Sequence, residues 1–277
     1  MVDENRGLEF LPCLDSEEMA AARRAELEIP REQAAALGVS AVEAAETGAY
    51  LDEAGRRVEW GPLVARARDA KRSIPPDEAL PEPPPKQPRV TRVQVTNETT
   101  LGAAHRLVRD GRRPLALNFA NGIQPGGGFL GGARAQEESL CRSSALFETL
   151  VGDPMYEYHL GRPTEDSTTW AIVSPDVPVF RADDGTPRAQ PWSLSFLTCA
   201  APYAPDIGRA RSADLLGKRI RRVLAIAAAR GYEALVLGAW GCGVFGNDPA
   251  RTARDFRSSL ETDFRGVFAE VVFAVVD

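Results

Sequence analysis

The stretch Pro114-Leu-Ala-Leu-Asn118-Phe-Ala-Asn121-Gly-Ile-Gln-Pro-Gly126-Gly-Gly128-Phe-Leu-Gly131-Gly132-Ala-Arg-Ala-Gln136-Glu137-Glu138-Ser139 decides how this chain is read. Pro114 to Ala120 is a nearly continuous apolar run, the pattern of a strand buried on both faces. It enters a loop with three consecutive glycines, Gly126, Gly127 and Gly128, and two more, Gly131 and Gly132. Gln136-Glu137-Glu138 then opens a helix. Consecutive glycines expose backbone N–H groups and tolerate positive φ, so they can wrap closely around an anion such as a diphosphate. Paired carboxylates beside such a loop would repel that anion. Together they point to a phosphorylated substrate on which a carboxylate acts.

Outward from this stretch, strands and helices alternate. Val90 to Val95 alternates apolar and polar as a half-buried strand does, and Thr100 to Arg109 is helical up to Gly111. Glu137 to Leu150 is predicted as one helix. Strands are expected near Ala171–Ser174, Val177–Phe180 and Ser193–Thr198, with a turn at Asp183-Asp184-Gly185. Ser212 is placed as the cap of an amphipathic helix carrying Leu216, Ile220, Val223, Leu224 and Ala227, which ends at Gly231. Ala234 to Leu237 is a buried strand before a second glycine loop, Gly241-Cys242-Gly243-Val244-Phe245-Gly246. A helix from Ala250 to Leu260 and a strand from Val267 to Val276 follow. This order predicts a three-layer α/β domain, with ligands at the carboxyl ends of its strands.

Before that domain, residues 15–48 are rich in Ala and Glu and read as short helices stopped at Gly38 and Gly48. Residues 75–88 hold seven prolines and read as a stiff connector. The chain thus divides into an N-terminal helical extension (1–74), the connector (75–88) and a catalytic domain (89–277).

Composition removes several classes of function. At 44% hydrophobic and 26% charged residues, the chain is globular in type. No apolar run approaches the roughly 20 residues needed to span a bilayer. The polar N-terminus is unlike a secretory signal, so no membrane association and a cytoplasmic location are expected. Cys13, Cys141, Cys199 and Cys242 are scattered, with neither disulfide-framework nor zinc spacing. The only histidines, His105 and His159, are read as surface or packing residues. No metal and no cofactor are expected. Residues 1–50 carry eleven Asp/Glu against four Arg, which leaves the remainder of this −6 chain near neutrality. A basic face for general nucleic-acid capture is therefore missing.

A lone Gly-x-Gly-x-x-Gly match is weak, and a tight turn explains it as readily. The second loop lacks the Lys-Ser/Thr of a nucleotide hydrolase and the downstream βαβ unit of a dinucleotide fold. Paired with the first loop, it suggests a diphosphate gripped from two sides. Phe245 either packs on a sugar or base or anchors its loop. Acids in a first helical turn also interact favourably with the helix dipole. Neighbouring helical residues diverge by about 100°, so Glu137 and Glu138 cannot clasp one bond from opposite faces as a usual glycosidase pair does. At most one is the acid.

Gly126–Gly128, seven residues, then Gln136–Glu138 resembles the signature of poly(ADP-ribose) glycohydrolases. The flanks resemble the bacterial-type branch: Val95 to Thr100, Leu117 to Ala120, Ala133 to Leu140, Arg142 to Ser144, Ser174 to Arg181, and Gly241 to Gly246. Gly48-Ala49-Tyr50 and Gly55 to Val58 resemble it too, so the likeness covers roughly residues 20–277. It implies a macrodomain-like α/β/α fold with a mixed sheet and an N-terminal extension. It implies Glu138 as the catalytic acid, protonating the 2′-oxygen of the leaving ribose and then activating water, and Glu137 as the holder of a hydroxyl on the ribose under attack. Gln136 would support the catalytic loop. Asn121 would lie near the distal ribose with Asn118 behind it. Gly126, Gly127 and Gly128 and the second loop (Gly241, Gly243, Val244, Gly246) would hold the diphosphate, and Phe245 the distal ribose. Asn121 departs from the bacterial branch, where a small residue stands, and is similar to the eukaryotic one.

The activity this implies is hydrolysis of ribose–ribose bonds in poly(ADP-ribose), mainly from chain ends, by a monomer acting on ADP-ribosylated macromolecules. Two other readings stand beside it: a hydrolase of mono-ADP-ribose on nucleic-acid bases or proteins, and a non-catalytic ADP-ribose-binding module. A dinucleotide-dependent oxidoreductase is a more distant fourth. Phe180, Tyr203 and Phe196 are candidates to stack the adenine. An acid working near neutral pH needs a raised pKa, which a second glutamate and a diphosphate would supply.

Overall fold

The computed structural model describes residues 7–82 and 89–276. Strand β1 (Leu8–Phe10) precedes helices α1 (Glu17–Leu27) and α2 (Arg31–Thr47). A short hairpin, β2 (Ala49–Leu51) and β3 (Arg57–Glu59), leads into α3 (Gly61–Ala70) and β4 (Arg72–Ile74). Next come β5 (Thr91–Thr96), α4 (Thr100–Arg109) and β6 (Pro114–Ala120). The glycine loop contains a 3-10 turn at Phe129–Gly131 and delivers α5 (Gln136–Ser143). Helices α6 (Leu146–Leu150) and α7 (Pro154–Leu160) are followed by a long hairpin, β7 (Ala171–Arg181) and β8 (Pro187–Ala200). The chain closes with α8 (Ala204–Ile207), α9 (Arg209–Ala229), β9 (Ala234–Leu237), α10 (Pro249–Glu261) and β10 (Glu270–Ala274).

Eight strands form one sheet in the order β1-β5-β10-β9-β6-β8-β7-β4. Pairings from β1 to β8 are parallel, and β7 runs antiparallel to both β8 and β4, so the sheet is mixed. Both edges, β1 and β4, come from residues before the proline-rich stretch. Of that stretch, residues 83–88 lie outside the described residues.

Helices cover both faces. Leu115 and Leu117 of β6 pack with Leu216, Ile220 and Val223 of α9 and Phe256 and Leu260 of α10. Ala116 packs on the other side, in a core shared by Ala41 and Ala45 of α2, Val64 of α3, Leu101 and Leu107 of α4, and Leu140 of α5. Strand side chains alternate faces, so Asn118, two residues after Ala116, turns toward α5. That parity places the first polar side chain of the site.

Four local expectations change. Gly38 does not stop a helix. It lies inside α2, where an added Cβ would sit 2.7 Å from the carbonyl oxygen of Phe129, so glycine there permits a close approach to the first glycine loop. Gly48 does end α2, with φ of 72°. The helix expected over Glu137–Leu150 breaks at Ser144, which is extended and bridges to Val179. Its hydroxyl accepts from the Leu146 amide and donates to the Leu140 carbonyl, replacing the missing helical bonds. Ser212 is no cap: α9 starts at Arg209, and the buried Ser212 donates to Asn247 Oδ1 at 2.6 Å. The strand expected over 267–276 narrows to β10.

Candidate active site

β6 and β9 are neighbours in the sheet, and the loops leaving their carboxyl ends carry the two glycine clusters. The first loop grips the chain's own acids. Glu138 Oε1 accepts from the Gly128 amide at 3.0 Å. Gly127 has φ of 56°, and a Cβ there would come within 2.4 Å of Glu138 Oε1. Left-handed backbone and lack of a side chain are both required for the carboxylate to sit against the loop. The Gly127 amide donates to the Gln124 carbonyl at 3.0 Å. The expected diphosphate cradle is thus partly occupied by a carboxylate, an anion built into the protein.

Glu137 and Glu138 are held differently. Glu137 Oε2 accepts from the Asn121 amide at 2.7 Å, and its Oε1 accepts from Asn118 Nδ2 at 3.2 Å. Burial pushes its pKa up to about 8, the Glu138 charge adds to the rise, and the Asn121 and Asn118 donors oppose it. Glu138 has one oxygen on Gly128, while Oε2 is buried with no hydrogen-bond partner. Gln136 clamps the base of the loop. Its Oε1 accepts from the Phe119 amide at 2.9 Å, and its Nε2 donates to the Leu117 carbonyl at 2.8 Å and to Thr100 Oγ1 at 3.1 Å. The side chain ties β6, α4 and α5 at one point.

Asn118 also donates to Thr198 Oγ1 of β8 at 3.2 Å. The Asn121 side chain folds back on its own loop, accepting from the Ile123 and Gln124 amides at 2.9 and 3.0 Å. In the second loop, Gly241 and Gly246 take φ of 74° and 66°. The space beside Gly243 is open, and Val244 is 82% exposed. Among the hydrogen bonds of the described residues, the amides of Gly243, Val244 and Phe245 donate to none. They are free donors of the site. Phe245 is partly buried and meets Tyr203 edge-on, with ring centroids 5.6 Å apart.

Two cavities flank these groups on the carboxyl edge of the sheet. A smaller one, about 270 Å³, is bounded by Phe119, Gln136, Ala239, Leu27 and Val276. A larger one, about 530 Å³, is bounded by Asn121, Ile123, Tyr203, Phe245 and the segment 159–167. The second loop contributes Phe245 to the wall of the larger one. Phe180 and Phe196, expected as possible adenine platforms, are fully buried. Phe180 is packed against Tyr50 and Trp60 with centroids at 5.0 and 4.5 Å, so neither ring can meet a ligand. Tyr203 alone of the three reaches a cavity. His159 is buried, its nitrogens on the Gly122 carbonyl (3.0 Å) and Thr168 Oγ1 (2.7 Å), and burial depresses its pKa to about 4. It packs, as expected, and so does His105, which rests on Trp192 at 4.9 Å. Among the described residues no group of three or more His, Cys, Asp or Glu is arranged to hold a metal ion, and no helix is long and apolar enough to cross a membrane.

Residue reading overlooked Asn247 and Arg219. Asn247 clamps the second loop, its Nδ2 donating to the Pro202 and Gly241 carbonyls at 3.0 and 3.1 Å. Arg219, 1% exposed, donates to the Ala200 carbonyl at 2.9 Å and to the Asp166 carbonyl. A signal existed for both. Asn247 directly follows the glycine loop, and Arg219 sits within the apolar stripe of α9, where an unpaired charge is costly.

Fold and site define a class: a three-layer α/β protein with two glycine loops at the carboxyl edge of a mixed sheet, the first of them seating a glutamate that has one unpartnered oxygen. Residues 39–182 match the family described as microbial-type PARG, catalytic domain. Poly(ADP-ribose) glycohydrolase from Thermomonospora curvata is 40% identical over 88% of this chain and 93% of that one, with a TM-score of 0.80. Its complex with the inhibitor ADP-HPD gives 41% identity over 89% and 94%, with a TM-score of 0.82. The enzyme from Deinococcus radiodurans in complex with ADP-ribose is 37% identical over 78% and 91%, with a TM-score of 0.69. None of the curated proteins compared with the chain matches it. The chain belongs to the microbial-type poly(ADP-ribose) glycohydrolase family.

Proposed function

We propose that this protein is a glycosidase that hydrolyses the ribose–ribose O-glycosidic bonds of poly(ADP-ribose), releasing ADP-ribose mainly from chain ends. The observation that carries the mechanism is the unequal state of the two glutamates. Both Glu137 oxygens are held by protein donors, whereas Glu138 Oε2 has no partner inside the protein. Only Glu138 has a free oxygen from which to pass a proton to the leaving 2′-oxygen. The C1″–O bond breaks through an oxocarbenium-like state, the 2′-oxygen leaves as a hydroxyl, and the resulting Glu138 carboxylate takes a proton from the attacking water. Glu137, kept largely protonated at neutral pH by burial, adds little negative charge beside a diphosphate. Its remaining lone pairs are available to orient a ribose hydroxyl.

The free amides at Gly243, Val244 and Phe245 bind the diphosphate, with Gly126–Gly128 as the facing wall. Phe245 and Asn121 border the distal ribose, Asn118 and Gln136 support the acids, and Gly241 and Gly246 shape the second loop. Preference for chain ends is the reading in which the smaller cavity, about 270 Å³ and lined by Leu27 and Val276, takes the terminal adenosine. We further read the protein as a cytoplasmic monomer acting on ADP-ribosylated macromolecules. Its four free cysteines fit a reducing compartment.

The test incubates wild type and Glu138→Gln with poly(ADP-ribose), mono-ADP-ribosylated protein and ADP-ribosylated DNA, and follows ADP-ribose release. Wild type is expected to release ADP-ribose from polymer, and the variant to lose about 10²–10⁴-fold in kcat. Release only from mono-modified substrates would establish the mono-ADP-ribosyl hydrolase reading. Binding without turnover would establish the binding-module reading.

A further inference from the structure

The larger cavity is lined by Asn121, whose amide holds Glu137, and is bigger than a single ribose requires. At about 530 Å³ it lies within the roughly 300–1,000 Å³ range of small-molecule sites. Asn121 and Phe245 line it, together with Ile123, Leu160, Pro163 and Tyr203. The chemistry of the scissile bond specifies its neighbour. The leaving oxygen is the 2′-hydroxyl of an adenosine ribose, so the first group beyond the cut is a nucleoside, and its phosphates come later.

The wall suits that group. Arg162 is the cation among its described lining residues, and it donates twice to Asp166, at 2.6 and 2.9 Å. Glu165 and Asp206 make the wall acidic, which disfavours a second diphosphate and offers acceptors to an exocyclic amine or ribose hydroxyls. Tyr203 presents an aromatic ring held in place by its neighbours. Its amide donates to the Glu165 carbonyl at 3.0 Å, the Ala204 amide donates to the Phe245 carbonyl at 3.0 Å, and Asp206 Oδ2 accepts from the Glu165 amide at 2.8 Å. His159 pins the facing loop through the Gly122 carbonyl. The cavity is preformed.

We propose that this cavity is a leaving-group subsite for the adenosine of the polymer unit on the far side of the scissile bond, with Tyr203 as the platform for its base. The proposal rests on the glycohydrolase reading above. It makes the enzyme selective for polymer over ADP-ribose attached to a group without a nucleoside.

The test compares kcat/KM on poly(ADP-ribose) with kcat/KM on ADP-ribose joined to 4-nitrophenol, for wild type, Tyr203→Ala and Leu160→Trp. Stacking of a base on an aromatic side chain is worth roughly 5- to 150-fold. Tyr203→Ala is therefore expected to lower the polymer-to-nitrophenyl ratio about tenfold or more. Leu160→Trp alters a residue 66% exposed, spares the core and narrows the cavity, and is expected to lower the same ratio. Equal loss on both substrates in both variants overturns the subsite while leaving the hydrolase reading intact. Absence of ADP-ribose release from polymer by wild type overturns the hydrolase reading and the subsite with it.

Discussion

Both oxygens of Glu137 are committed to Asn118 and Asn121, and enclosure raises its pKa to about 8. The carboxyl group binds its proton more tightly in the folded protein than in the unfolded chain, where the value is near 4.5. The stability linked to that proton is complete below about pH 4.5 and is lost as pH rises through about 8. Glu137→Gln, which cannot ionise, is therefore expected to lose less stability than wild type between about pH 5 and pH 9. Urea denaturation across that range measures it, and parallel curves for the two proteins would sink the assignment. Adjacency of the two acids, and the helical divergence that separates their roles, were legible in the residues. Which of them has a free oxygen was not, because that depends on the Asn121 amide and the Gly128 amide, 16 and 10 residues away.

Helix α2 lies against the glycine loop, and Gly38 is one of the close contacts. Arg31 Nε donates to the Gly131 carbonyl at 3.0 Å, and Arg134 Nη1 donates to the Ile29 carbonyl, just before α2, at 3.0 Å, so the helix and the segment leading into it tie the loop at further points. Alanine at position 38 would gain about 1 kcal/mol in helix propensity. A Cβ 2.7 Å from a backbone carbonyl that cannot swing away costs about 1–3 kcal/mol and pushes on the loop. The clash should win. Gly38→Ala is expected to be destabilised by about 1 kcal/mol, with a lower kcat, as read by urea melts and polymer turnover. A stabilised variant with unchanged kcat would show that α2 does not position the loop. The helix itself was readable from composition, but its interior glycine looked like a stop because the reason for it lies about 90 residues downstream, at Phe129. The break at Ser144 was hidden in the same way, since its strand partner is Val179.

Residues before the proline-rich stretch supply both edge strands and part of the core, including the fully buried Trp60 and Ile74. A fragment of residues 89–277 would expose the flank of β7, uncover β5 and lose the packing of Tyr50 and Trp60 on Phe180. It is expected to show no cooperative thermal transition by circular dichroism. A sharp melt would mean that the extension is dispensable for folding. By itself the sequence determined the alternation of strands and helices, the two glycine loops at strand ends and the divergence of the two adjacent glutamates. These follow from period, local propensity and the geometry of adjacent residues, all short-range properties. Only the tertiary structure decided that the first loop seats a carboxylate, that Phe180 and Phe196 belong to the core, and that Asn247 and Arg219 hold the loops. Those outcomes depend on which distant backbone donors converge and on which face of each element is covered. Long-range packing sets both; position in the chain singles out Asn247 and Arg219 but not the carbonyls they hold. The first loop, read as an anion cradle with acid beside it, is an anion cradle with the acid inside it.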